Sequence, residues 1–265
     1  MGVAIDTISF IATNPGALAV ATPATGDSGT VRNFGQTDRA IITELFRQGA
    51  TEGLVRVRSP LLHDFVRGIM FTPSETPSAL LLSRRLNQSL HPQDVLTLEL
   101  GGGAAEVDMG GLQVFYSNLP GANARLHMWS DISSIIKNVK PLEVDFNTAA
   151  TAGQWQDTAI TVTENLLHAN TDYAVIGFIV DVAVCMFGVK GIDTSNLRVC
   201  GPGVTRSEVT SEYFARLSDE TGFPTIPVIN SANQGSIFAS CAAVAAGAAI
   251  KGQLILAELT QNLSN

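Results

Sequence analysis

The run from Tyr173 to Val189, YAVIGFIVDVAVCMFGV, decides how this chain is read. It is apolar enough to be tested as a membrane span, but Asp181 stands near its middle. A carboxylate at a bilayer centre costs about 2.5–3.5 kcal/mol. A second apolar run, Ser236 to Ile250 (SIFASCAAVAAGAAI), falls short of the roughly 20 residues that a spanning helix requires. The β-branched residues Val175, Ile176, Ile179, Val180, Val182 and Val184 mark the first run instead as a strand buried on both faces. Contact with a membrane surface stays open on this reading; crossing one does not.

The texture continues outward from that run. Thr158 to Thr163, Leu197 to Cys200, Thr225 to Ile229, Ser236 to Ala245 and Gln253 to Leu259 read as strands. The last two would form a hairpin through Ala246-Gly247-Ala248, with helix as the alternative for the alanine-rich part. One helix interrupts them: Thr205 and Glu208 have capping-box spacing, Val209, Tyr213, Phe214 and Leu217 supply an apolar face, and Gly222 and Pro224 close it.

Upstream, from Gly53, short apolar runs (LVRVRS, FVRGIMFTP, ALLLSRRL, DVLTLELGGG, GLQVFYSNLPG, ARLHMW, PLEVDF) alternate with turn residues, as in antiparallel β-structure. The small polar stretch Asn147 to Gln154 is the natural boundary between two β units. Before Gly53, Ala4 to Ala12 reads as a strand, and the small residues up to Gly35 as an extended arm or loop. From Thr37-Asp38 an amphipathic helix is predicted, with Ile41, Ile42, Leu45 and Phe46 on one stripe and Gly49 as its stop. The predicted fold is therefore mainly β: two tandem antiparallel β-sandwich (jelly-roll-like) units over 53–148 and 149–265, an N-terminal arm with the amphipathic helix over 1–52, and two short helices in all.

Composition points to association. Charged side chains make up 15% of the 265 residues, apolar types 45%, and only four residues are lysine. Well-behaved monomer surfaces carry roughly a quarter to a third charged residues, and protein interfaces are depleted in Lys, Glu and Asp. A net charge of −8 without a cluster of Lys and Arg excludes strong direct nucleic-acid binding. Cys185, Cys200 and Cys241 form neither a CxxC nor a Cys/His group, so reduced core packing is expected rather than disulfides or zinc. The N-terminus lacks a secretory signal pattern, and intracellular synthesis is expected.

No catalytic or cofactor signature emerges. Gly26-Asp27-Ser28-Gly29 matches the nucleophile loop of trypsin-like proteases but has no following Gly-Pro and no base and carboxylate in support, so it reads as a turn. Gly101-Gly102-Gly103 and Gly201-Pro202-Gly203 lack phosphate-loop context and also read as turns. His63, His91, His127 and His168 are scattered, with His63-Asp64 the one pair adjoining a carboxylate. Glu106 with Asp108, and Glu143 with Asp145, share strand faces and read as solvated edges. The Asn87 and Asn262 sequons carry little weight without a signal.

With its N-terminal arm, amphipathic helix and two β units, the chain resembles the compact double jelly-roll major capsid proteins of tailless icosahedral viruses. The resemblance is one of layout and covers roughly Gly53 to Leu259, with Trp155 to Leu259 resembling one jelly roll. It implies strands standing upright in pseudo-hexagonal trimers, an N-terminal segment toward the capsid interior, Asp38 to Gln48 in an inner or inter-capsomer contact, and a place in the virion.

A self-assembling structural protein is thus expected, with no cofactor, no metal and no catalytic residue. Its partners would be its own copies, as a trimer or higher assembly, and then minor capsid proteins. Interface candidates are Ile42, Leu45, Phe46, Trp129, Trp155 and Phe214, and whichever large aromatics the isolated fold exposes are expected in subunit contacts. The alternative is a carbohydrate- or ligand-binding β-sandwich, a spike or lectin-like module using Trp129 and Trp155 as platforms, against which the 6% aromatic content speaks. A third reading is an enzyme with a cleft between the halves that gathers His63 and Asp64.

Overall fold

A computed structural model describes residues 2–13, 16–35, 39–49, 51, 53–60, 62, 68–71, 78–81, 89–120, 124–146, 152–160, 167–181, 184–203, 210–244 and 250–263. In chain order the first half supplies β1 (Gly2–Thr13), β2 (Ala19–Val20), β3 (Thr22–Pro23), β4 (Arg39–Gln48), β5 (Val55–Arg58), β6 (Ile69–Phe71), β7 (Ser78–Leu81), β8 (Ser89–Leu90), β9 (Thr97–Leu100) and β10 (Val107–Leu119). The second supplies β11 (Leu126–His127), α1 (Trp129–Ile132), β12 (Ile136–Phe146), β13 (Trp155–Ala159), β14 (Asp172–Val180), β15 (Val184–Gly191), β16 (Arg198–Pro202), α2 (Tyr213–Thr221), β17 (Ile226–Asn230), β18 (Ile237–Ala243) and β19 (Ile250–Leu259).

These strands build four antiparallel sheets, ordered β3-β1-β10-β4-β7 (with β8 on β4), β2-β9-β5-β6, β11-β17-β14-β19-β12 and β13-β18-β15-β16. The eight principal strands of the first half are β1, β2, β4, β5, β6, β7, β9 and β10. Numbered in chain order, they give sheets reading 1-8-3-6 and 2-7-4-5. Strands β12 to β19 give the same two orders. Eight strands wound this way form a jelly roll, and the chain contains it twice.

The long apolar run divides where its charge lies. Asp181 separates β14 from β15, which belong to opposite sheets of the second sandwich, so the single strand expected over 173–189 is two. The β18 and β19 segments are strands, Ala239, Ala242 and Ala243 included, but they lie in opposite sheets and are not a hairpin; residues 245–249, with the expected turn, lie outside the described residues. Gly201 and Pro202 end β16 instead of forming a turn.

The largest correction concerns residues 39–48, which form strand β4 and not a helix. On β4, Ile42 and Leu45 pair with Val114 and Leu112 of β10, three residues matched to two, because the register shifts between Gln113 and Val114. A bulge of this kind changes the spacing of like-facing residues from two to three and so imitates helical periodicity. Both faces are also covered: Ile42 and Leu45 face the first sandwich's core, and Phe46 joins a second apolar cluster on the opposite side. The expected arm and helix therefore supply strands of the first sandwich. Likewise β12 pairs with β19, so the second sandwich starts well before residue 149.

The second short helix is α1, at the end of the ARLHMW segment expected as strand. The other, α2, ends as read, at Gly222 in the left-handed conformation (φ +67°); the Thr205/Glu208 box lies outside the described residues. All three cysteines are buried and free. Among the described residues, no helix is long and apolar enough to cross a membrane, which says nothing of strands.

Candidate functional site

The two sandwiches meet on a seam that is polar at its centre. Strand β10 lies between β1 and β4, and the register sets Thr7, Gln113 and Glu44 in one row across the three strands. Every member of that row reaches the other half. The Thr7 hydroxyl donates to the Cys200 carbonyl (3.0 Å) and accepts from the Cys200 N–H (3.1 Å), while the Gln113 amide donates to the same carbonyl (3.1 Å). Cys200 lies on β16, the end strand of its sheet. Unpaired backbone at a sheet edge invites association, and here side chains of the first half close it. Glu44 accepts a hydrogen bond from the Tyr213 hydroxyl on α2, and Thr43 donates to the Gln113 side chain (3.0 Å).

The next row is aromatic. Trp155 donates through Nε1 to Ser9 Oγ and Asp27 Oδ2, both at 2.7 Å, and Asp27 also accepts from the backbone and hydroxyl of Ser9. Arg198 places its guanidinium 4.7 Å from the Trp155 ring centroid and pairs with Asp157 (3.2 Å). Around this row, Ala24, Phe46 and Met109 from the first half pack with Trp155, Cys185, Met186, Cys200 and Ala242 from the second. The backbone joins in, since Thr25 and Gln154 form a parallel bridge.

Burial controls the acids. It pushes the Glu44 carboxyl up to about 7 despite the hydrogen bond from Tyr213, with Glu220 adding repulsion. Burial likewise raises Asp6 against the opposing pull of Arg32. Asp157 goes the other way, because Ser240, Arg198 and Lys190 outweigh its desolvation. All three thiols are pushed up by burial, Cys241 to about 12. A thiol held protonated in this way is no nucleophile. The seam can fasten two bodies and exclude water.

The six interface candidates fall mostly inside the chain. Ile42, Leu45 and Phe214 belong to the main core, and Phe46 and Trp155 meet in the seam cluster. These five side chains are occupied within one chain, where they cannot reach another. Trp129 is partly exposed, its backbone N–H bonded to Ser218 Oγ (3.0 Å). The His63-Asp64 pair lies outside the described residues. Glu143 and Asp145 are exposed as read, but Asp108 is buried on Arg47 (2.5 Å) with Glu106 3.6 Å from that guanidinium, so that pair is not a solvated edge. Gly26 to Gly29 is a turn, with Asp27 its working residue.

Sequence reasoning missed Thr7, Ser9, Asp27, Gln113, Glu44, Arg198 and Tyr213. Thr7 and Ser9 alternate with apolar residues in β1, a pattern normally belonging to a solvated face, and nothing local distinguishes water from a second domain. Among the described residues, no group of three or more His, Cys, Asp or Glu is placed to hold a metal ion.

No protein family and no curated protein matches the chain. Among solved structures, a crystal structure of the STIV major capsid protein is similar over 97% of each chain, at 8% identity and a TM-score of 0.19. A likeness that loose carries no argument, and the duplicated strand order stands on this chain's own pairing.

Proposed function

We propose that this chain is a self-assembling structural protein, a building block of a virus capsid, with its own copies as principal partner and the virion as its place. The observation that carries the reading is the repetition of one jelly-roll order in two halves fastened by a buried polar seam. Two sandwiches joined in this way act as one block with two outward sheets, and a charge content of 15% suits a block whose remaining surface meets copies of itself. Its residues bind and position; none is assigned a chemical step. Light scattering with negative-stain imaging of the purified chain tests the reading. Trimers, hexamers or megadalton shells support it, and a monodisperse monomer of 27.9 kDa overturns it.

A further inference from the structure

Each half has one outermost sheet, and the two differ in character. On the β2-β9-β5-β6 sheet the register sets Val20, Glu99, Arg56 and Met70 in one continuous row. The alternate positions Leu98, Leu100, Val55 and Val57 are fully buried, so this row lies on the outer face. Val20 and Met70 are 63% and 51% exposed, and Val95, in phase with Glu99 along the same chain segment, is 59% exposed. Three of the five exposed large apolar side chains among the described residues thus lie on this face. Between them, Arg56 and Arg58 both bond Glu99, so that among the described residues this face carries two arginines and one carboxylate. Methionine and arginine enriched and lysine absent match the composition of protein interfaces, and the exposed valines add apolar area to it.

The outer face of β12-β19-β14 is the complement. Its rows are Glu143–Gln253–Ile179 and Asp145–Lys251, with Asp181 beside Lys251. Glu143, Asp181, Lys251 and Ile179 line an open groove of about 220 Å³. Among the described residues, this face carries three carboxylates and one lysine. We propose that the Val20–Arg56–Met70 face of one copy docks on the Glu143–Asp181 face of a second copy. This names the contact within the assembly reading above and rests on it. Unlike patches on one chain give a head-to-tail contact, which closes into a ring or extends as a filament.

The test uses the full chain with exposed positions changed, each variant's melting temperature being compared with the parent's. Met70→Asp places a like charge against the acidic face, and Asp181→Arg places one against the arginines; each alone is expected to remain monomeric. Mixed one to one they are expected to form a heterodimer, because each retains the face the other lacks. Met70→Arg is expected to assemble like the parent, and Val20→Asp repeats the first arm if Met70→Asp melts early. Assembly of both acidic variants, or a mixture that stays monomeric, overturns the pairing and leaves the assembly reading intact. A homodimer of Asp181→Arg alone overturns it in favour of a self-complementary face. A monomeric parent removes the assembly reading and this contact with it.

Discussion

Replacing Glu44 with Gln isolates the seam's central acid. Glu44 is buried between the halves, and its carboxyl is pushed up to about 7 from an ordinary value of 4.5. A carboxyl raised on folding contributes stability that is complete below its unfolded value, declines above it, and is lost once pH passes the folded value. The window is therefore pH 4.5 to 7. A shift of this size corresponds to about 3 kcal/mol at roughly 1.4 kcal/mol per unit, or about 6–12 °C in melting temperature for a chain of this size. The Glu44→Gln side chain keeps the acceptor for the Tyr213 hydroxyl and cannot ionise. Thermal melts of both chains at pH 5 and pH 8, at one protein concentration so that association does not enter, give the difference directly. Asp6, Asp108 and His127 titrate in both chains and cancel. The parent should lose several degrees more than Glu44→Gln on going to pH 8. Equal losses would show that Glu44 ionises at no cost, and the buried seam as described would be wrong.

Thr7→Val keeps the shape of the side chain but uncaps the Cys200 N–H, and should cost about 1–3 kcal/mol in denaturant unfolding. Phe46→Ala should cost about 3–5 kcal/mol, the loss for a large buried aromatic, where an exposed interface residue would cost the monomer almost nothing. Glu258 is held down to about 2 by Lys137, Lys140 and His168, so its contribution is present above pH 4.5 and lost as pH falls through 2; Glu258→Gln should remove that part of the acid sensitivity in melts between pH 5 and 2. Ellman's reagent should find no reactive thiol in the native chain and three after denaturation.

The β class, most strands and the C-terminal stop of α2 were legible because each depends on local chemistry: β-branched runs, turn residues, a glycine at positive φ. The failures at β4 and at the seam have one physical source. A strand covered on both faces loses its period-two alternation, and β4 adds a bulge that supplies a period of three, so Ile41, Ile42, Leu45 and Phe46 matched a helix better than a strand. The same cover hid the seam: Thr7, Ser9 and Glu44 are polar residues on the outward face of a sheet, which reads as solvated unless a partner sheet is known. Asp181 shows the converse, a charge weighed only against a membrane span while its place at the break between two strands went unread.

Composition alone could not say where the missing charge is spent. A charge-poor chain must bury apolar surface, but residue counts treat burial against another half of the same chain and burial against another copy alike. The seam shows how far the two differ, since Phe46 and Trp155 have the character of interface residues and their interface is intramolecular. The same accounting narrows what is left for assembly. The inner sheets are used up by the seam, and the β12 edge carries Lys137, Lys140 and Pro141, the residues that discourage strand addition. Among the described residues, two outward sheet faces remain, one with arginines among exposed aliphatics and one acidic. Association through these faces, as proposed, would keep copies from fusing into open-ended sheets and would make charge, rather than backbone pairing, the selector of partner and register.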